Sequence, residues 1–229
     1  MKDILFDKDI AAAAPGLHVI EIEADIVNSP TSDSLWERIC RCRDDIKAST
    51  PIEQVRHRPA IDATRSAYKA CGKDPNRYRP SAEALCRRAV RGLELYRTLS
   101  AIDLINLLSM MTGHSIGGFD ADRIVGNTLT LGVGAEGEPY EAIGRGELNI
   151  AGLPVYRDAV GGIGTPTSDV ERTKLTPATR RLLVTINMYG TEPDMPADAV
   201  EALARELLVE YASATDINVR HYSICHEDN

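Results

Sequence analysis

The residues best suited to chemistry fall in three places. Residues 158–173, DAVGGIGTPTSDVERT, bring Asp158 towards Thr167, Asp169, Arg172 and Thr173 across three glycines and a proline. A glycine-rich loop carrying hydroxyls and one arginine suits a phosphate or a carboxylate, with the arginine engaging two oxygens at once. The same spacing also describes a surface Asp169–Arg172 ion pair of little energetic weight. His114 stands in TGHSIGGFD (112–120), as a group open to a ligand or as a satisfied structural histidine. Gly117 and Gly118 either turn the chain or let its backbone approach a ligand closely. Asp103 and Asn106 lie three apart in SAIDLINLLSMMT (100–112) and so share a helical face. Two polar groups in so apolar a helix either fix the core or face a pocket.

Other chemistries lack support. The chain has no GxxxxGK[ST] or HExxH, and no strand–GxGxxG–helix unit. Cys40 and Cys42 are two apart on a predicted helix and point to different sides, which argues against zinc. The five cysteines are scattered without a CxxC, as expected of reduced thiols in a cytoplasmic protein. Neither a metal nor an organic cofactor is expected.

The elements that must position these groups follow from periodicity. Residues 17–27 alternate, Ile20, Ile22, Ala24 and Ile26 against Glu21, Glu23 and Asp25, as in a half-exposed strand. Leu35, Ile39, Cys42 and Ile46 predict a helix to about Lys47, and residues 59–71 a second. A loop at 72–80 leads to Ser81, a natural N-cap, with Glu83 in the first turn of a helix running to Gly92. Residues 100–112 are apolar nearly all round and predict a buried helix. Strands are expected at 128–133, near Tyr140, near Val155 and at 182–189, where Thr185, Asn187 and Tyr189 form the polar face. Val200, Leu203, Ala204, Leu207, Leu208 and Tyr211 outline an amphipathic helix, and 217–225 a closing strand. The pattern predicts one α/β domain over 1–229, with a mixed central sheet flanked by helices.

At 229 residues, 43% of them hydrophobic, the chain can bury a sizeable core unaided. No apolar run reaches the length of a membrane span, and the acidic N-terminal stretch argues against a secretion signal. The net charge of −8 argues against a general nucleic-acid binder, and no DNA partner is expected. Yet eleven basic residues face four acids between Arg56 and Arg97, while nine acids face two arginines from Thr191 onward. Such asymmetry describes either a polyanion-facing surface, with Arg65, Lys69, Arg77, Arg79, Arg87, Arg88 and Arg91 as its residues, or a solvated helix face.

The stretch from SAIDLINLLSMMTGHSIGGFD to GRGEL resembles the B3/B4 region of the phenylalanyl-tRNA synthetase β subunit. There the family runs V-D-x-T-N, then G-Q-P-L-H-A-F-D, a short strand and G-E. Asp103 and Asn106 match the first element, Gly113, Ile116, Phe119 and Asp120 the second, and Gly137–Glu138 the third. PVYRD, the glycine-rich loop and TPATRRLLVTINMY match the closing part, and RSAYKACGKDPNRYRPSAEALCRRAVRG resembles stand-alone relatives of this domain. The resemblance covers residues 56–190, with 1–55 and 191–229 as flanking elements of the same domain. It implies an α/β domain with a central pocket, which in the synthetase hydrolyses tyrosine wrongly attached to the phenylalanine tRNA. Two positions depart: the family histidine falls on Gly117, and the glutamate of a later strand on Thr185.

The resemblance therefore implies a protein that binds tRNA or aminoacyl-tRNA, with a freestanding editing deacylase as its enzymatic form and no aminoacylation by itself. Glu138 and Asp158 are the residues expected to hold water for catalysis. Asn106, His114, Gly117, Gly118, Asp120, Thr167, Asp169, Arg172 and Thr173 are expected around the substrate. The alternative is a binder of a free amino acid or small metabolite without RNA. Asp103, Asn106, Asp120, Glu138, Asp158 and Thr173 fall at ends of predicted elements and are expected to line one pocket.

Overall fold

A computed structural model describes residues 2–190 and 195–224. Cys225, the last residue of the predicted closing strand, lies outside the described residues. The first elements are strand β1 (Asp3–Phe6), helix α1 (Lys8–Ala13), strand β2 (His18–Asp25) and helix α2 (Asp33–Ser49). Helices α3 (Pro59–Ala70), α4 (Ser81–Val90) and α5 (Ser100–Thr112) follow, then strand β3 (Ile116–Asp120). The β-rich part holds β4 (Thr128–Val133), β5 (Glu141–Ala142), β6 (Gly146–Glu147), β7 (Pro154–Arg157), β8 (Gly162–Gly164) and β9 (Arg181–Met188). Helix α6 (Ala197–Ala212) and strand β10 (Thr215–Ser223) complete the order. No helix among the described residues is long and apolar enough to cross a membrane.

Local chemistry accounts for several boundaries. The Asp7 carboxylate accepts from the N–H groups of Asp9 and Ile10 and starts α1, and the Ser32 hydroxyl starts α2 through Leu35 N–H. Ser81 is the first residue of α4 rather than its cap; Pro80 precedes it and no side chain caps that end. Helix α5 stops at Gly113, whose φ of 79° is left-handed and cheap only for glycine. At the other end of α5, Asp103 accepts from Thr98 N–H at 2.7 Å and Thr98 Oγ1 at 2.9 Å.

The mixed α/β architecture holds its strands in two four-stranded sheets, one of them mixed, and a separate pair, β5-β6. One runs β1-β4-β7-β8, with β1 and β4 parallel; the other, β10-β2-β9-β3, is antiparallel throughout. Strand β9 explains the division. Leu182, Val184, Ile186 and Met188 pack into the helix-side core, while Leu183 joins Leu129, Leu131 and Val155 between the sheets. Its other face, predicted polar, is buried there too, and Asn187 Oδ1 accepts from the Tyr156 hydroxyl at 2.6 Å. Helices α2, α4 and α6 and strand β3 all pack against α5, whose Leu104, Leu107, Leu108 and Met110 are buried. Strand β2 is accordingly not half exposed. Glu21 is fully buried, its carboxylate accepting from the Tyr222 hydroxyl at 3.0 Å and Lys2 N–H at 3.1 Å.

Arg65 and Glu83 clasp α3 to α4. Arg65 Nη1 donates to Glu83 Oε2 at 2.7 Å and to Pro75 O at 3.2 Å, and its Nη2 donates to Asn76 Oδ1 at 2.8 Å. Arg65 therefore does not belong to an exposed basic surface: it is 6% exposed and spends its donors inside the fold. Removing one partner of such a pair strands the other charge away from water. Glu83→Ala is expected to lower stability by about 3–5 kcal/mol, measured by urea unfolding. The double variant Arg65→Met with Glu83→Leu should recover part of that loss; equal stability of Glu83→Ala and the wild type would exclude the clasp.

Candidate functional site

Two cavities meet at Ser81 and Asn106. The larger, about 500 Å³, is a groove whose wall carries Arg79, Arg87, Arg88 and Arg91, with Arg145 also on its lining. Three of these arginines come from α4 or its end, where Arg91 follows Arg88 by three residues and Arg87 by four and so shares a side of the helix with each. Glu83, 2% exposed, reaches Arg79 at 3.4 Å and Arg87 at 3.6 Å as well as Arg65. One carboxylate among three guanidiniums leaves the wall electropositive. Burial, followed by the Arg79 charge, brings Arg87 below its ordinary pKa. Lys69 and Arg77 are exposed but do not line the groove.

The smaller cavity, about 240 Å³, has an apolar wall from Ile105, Ile116, Ile143 and Leu175. Ser109, Thr165, Ser168, Asp169 and Lys174 are its polar groups beyond Ser81 and Asn106. The loop after β8 carries three of them and is tied down by its own hydrogen bonds. Thr165 Oγ1 donates to Ser168 O at 2.9 Å, as does the Tyr140 hydroxyl at 2.7 Å. Close approach here depends on glycine. A Cβ on Gly164 would lie 2.9 Å from Asp169 Oδ1 and 2.5 Å from Phe119 Cζ, and one on Gly118 2.5 Å from Ile105 Cδ1.

Asp169 is the ionisable group whose environment stands out. Its Oδ2 accepts from Gly118 N–H at 3.4 Å, and burial pushes the carboxyl up to about 7 against that one donor. Lys174 lines the same cavity but pairs with Glu171. No hydrogen bond joins the Asn106 carboxamide, at the junction of the cavities, to another described residue. A carboxyl titrating near neutrality can bind an ammonium, hold a water or exchange a proton with it.

The other expected site residues are placed elsewhere. Asp158 binds Arg172 through both oxygens at 2.8 Å and accepts from Val125, Val160 and Gly161 N–H. Against the burial that would raise it, Arg172 and these amides hold its carboxyl low. Arg172 is thus engaged inside the fold instead of pairing with Asp169. Glu138 is held by Arg157 at 2.7 Å and Ala135 N–H at 2.9 Å, which overcome burial and keep it low as well. Neither carboxylate lines either cavity. Asp120 accepts from Thr179 Oγ1 at 2.8 Å, and Thr173 is fully buried. The expectation of one pocket lined by all six polar residues is therefore corrected: Asp103 and Asn106 reach the groove, and Asp120, Glu138, Asp158 and Thr173 serve the fold. Each of those carboxylates found a nearby partner that the spacing did not reveal.

His114 is 2% exposed and lines neither cavity; burial lowers it to about 4, so it is neutral. Thr167 lines the groove and shares a 2.9 Å hydrogen bond with the Tyr68 hydroxyl. Gly117 and Thr185, the two positions that depart from the resemblance, are cross-strand partners in β3 and β9. A Cβ on Gly117 would come within 2.8 Å of Thr185 Oγ1. Sequence reasoning missed Ser81, Ser109, Lys174, Tyr96 and Arg145 as lining residues. Only Tyr96, an aromatic among arginines, carried a signal.

Comparison with known proteins bears on this arrangement. No curated protein matches the sequence. Among solved structures, an N-terminal fragment of the phenylalanyl-tRNA synthetase β-subunit from Pyrococcus horikoshii aligns with 14% identity and a TM-score of 0.48. The alignment covers 95% of this chain and 50% of the fragment, so the chain spans about half the fragment's length. The family model of the B3/4 domain matches residues 63–208, a stretch that contains every lining residue of both cavities except Ile39. The chain belongs to the B3/4 domain family.

Proposed function

We propose that this chain binds aminoacyl-tRNA and hydrolyses its ester bond. One observation carries the reading: an arginine-walled groove opens, at Ser81 and Asn106, onto a small and mostly apolar pocket with a carboxyl that titrates near pH 7. Guanidiniums suit phosphates through paired N–H donors, so the groove takes the polyanion. The pocket takes the side chain of the attached amino acid. Ester hydrolysis then needs a held water and a donor for the developing oxyanion.

Asp169 and Asn106 fill these roles. As carboxylate, Asp169 accepts a proton from water while the water oxygen bonds to the ester carbonyl carbon. The carboxamide N–H of Asn106 steadies the oxyanion. The carbon–oxygen bond to the ribose then breaks, and the proton held by Asp169 passes to the departing ribose oxygen. The products are a free amino acid and uncharged tRNA. Membership of the B3/4 domain family, together with the sequence resemblance to the B3/B4 region of the phenylalanyl-tRNA synthetase β subunit, supports a tRNA-linked substrate for this chain.

The test is deacylation of a panel of mischarged tRNAs, with heat-inactivated protein as control. The rate should rise with pH and level off above about 7, as Asp169 ionises. Asp169→Asn should slow it by about 10²-fold or more. Binding of free amino acid without tRNA binding or hydrolysis would replace this reading with that of a metabolite binder.

The groove makes its own prediction. Affinity for tRNA should fall with salt, and Arg87→Ala with Arg88→Ala should flatten the slope of log K against log salt by about 0.7–0.9 per lost phosphate contact. An unchanged slope would remove α4 from the interface.

The raised Asp169 also marks stability. Its folded pKa of about 7 exceeds the ordinary 3.8, so between these values the folded protein keeps a proton that the unfolded chain has released. Stability from this group is full below about pH 4 and is lost as pH rises towards 7. Asp169→Asn should abolish that loss, so urea midpoints of variant and wild type should diverge from pH 4 to 7, with the variant higher at pH 7. Parallel curves would show an ordinary carboxyl.

A further inference from the structure

We infer that Tyr96 is a stacking platform for an unpaired RNA base at the outer end of the arginine groove. The inference rests on the reading of the groove as an RNA surface and adds to it a subsite for a single-stranded nucleotide. Tyr96 is 75% exposed and lines the groove beside Leu93, which is itself 45% exposed. A phenol ring in that position gains nothing from the core.

The backbone holds the ring there by design of the α4 end. Gly92, at a left-handed φ of 65°, ends the helix, and Leu93 N–H donates back to Arg88 O at 3.0 Å. Arg88 Nη2 in turn donates to Glu94 O at 2.6 Å, which leaves its guanidinium carbon 4.9 Å from the Tyr96 ring centre. One face of the ring is thereby backed by a cation, and the guanidinium is fixed before any ligand arrives.

The occupant follows from the neighbours. Arg79, Arg87 and Arg91 line the same groove, so a ligand with an aromatic face must also carry repeated negative charge. A nucleotide chain has both, and every base offers a π-face. A duplex keeps its bases stacked inside, so the platform fits an unpaired strand, such as the one that leads to an aminoacyl ester. A single strand lying from Tyr96 along Arg88 and Arg91 towards Asn106 would bring its end to the smaller pocket.

The probes are a five-nucleotide single-stranded RNA carrying 2-aminopurine at one internal position and a blunt RNA duplex of twelve base pairs. Wild type should bind the single strand and change the 2-aminopurine emission. Tyr96→Ala should weaken that binding by about fivefold or more and abolish the emission change. Tyr96→Phe should keep both, and neither variant should alter duplex affinity or thermal stability. Full single-strand binding by Tyr96→Ala overturns the inference, as does equal loss for duplex and single strand. The two readings fail separately. Hydrolysis of mischarged tRNA that is indifferent to Tyr96→Ala would leave the deacylase standing and sink the platform. Tyr96-dependent strand binding without any hydrolysis would do the reverse.

Discussion

Glu83 is a carboxylate that water scarcely reaches, and three guanidiniums converge on it. Its position is expensive in desolvation and is sustained by the charges around it. Arg65 answers from α3, and with its remaining donors holds the loop at Pro75 and Asn76 that leads into α4. Arg79 and Arg87 answer from the groove side. The same carboxylate thus joins two helices and sets the wall of the larger cavity. A stronger neutralisation would give a tighter clasp and a groove without a field. The imbalance of one acid to three bases is what leaves the surface able to attract an anion.

The smaller cavity depends on a different constraint, the thinness of β3. Strand β3 is the last strand of its sheet, beside β9, and Gly117 and Gly118 are two of its five residues. Without a side chain on Gly118, Ile105 of α5 comes down on the strand, and the loop carrying Asp169 reaches the Gly118 N–H. The carboxyl is brought into this narrow space with one amide for company. Its high pKa is a consequence of packing: Arg172, the arginine nearest in sequence, is engaged by Asp158, which three backbone amides also hold in place.

These two constraints also explain what the sequence made legible. Long elements declare themselves, β9 and α6 because one face repeats many times and α5 because it is apolar nearly all round. β1, β3 and β8 are three to five residues long and rich in small or mixed residues, so no period exists to detect. β2 and β9 alternate as if one face met water, yet both are sandwiched; the acids and amides on that face find partners from distant strands. The candidate site split along the same line. Asn106, Thr167, Asp169 and four arginines of the groove were visible as residue types in an ordered stretch. Glu138 and Asp158 looked equally available, and only the fold reveals Arg157 and Arg172 beside them. Tyr96 was visible and unvalued, because an exposed aromatic acquires meaning from what surrounds it.

Strand β2 carries a consequence for the way the chain reaches this state. Its neighbours are β9 and β10, so Val19 waits for Asn187 on one side and Tyr222 on the other. On a ribosome both edges of β2 emerge long before either neighbour exists, and they stay open while the helices and the first sheet are made. An open strand of Val19, Ile20, Ile22 and Ala24 would recruit other nascent chains, edge to edge. Glu21, Glu23 and Asp25 interrupt it at every second position with like charge. In the finished protein, burying Glu21 calls for a tyrosine hydroxyl and an amide; during synthesis the same charge keeps the strand soluble until its partners arrive.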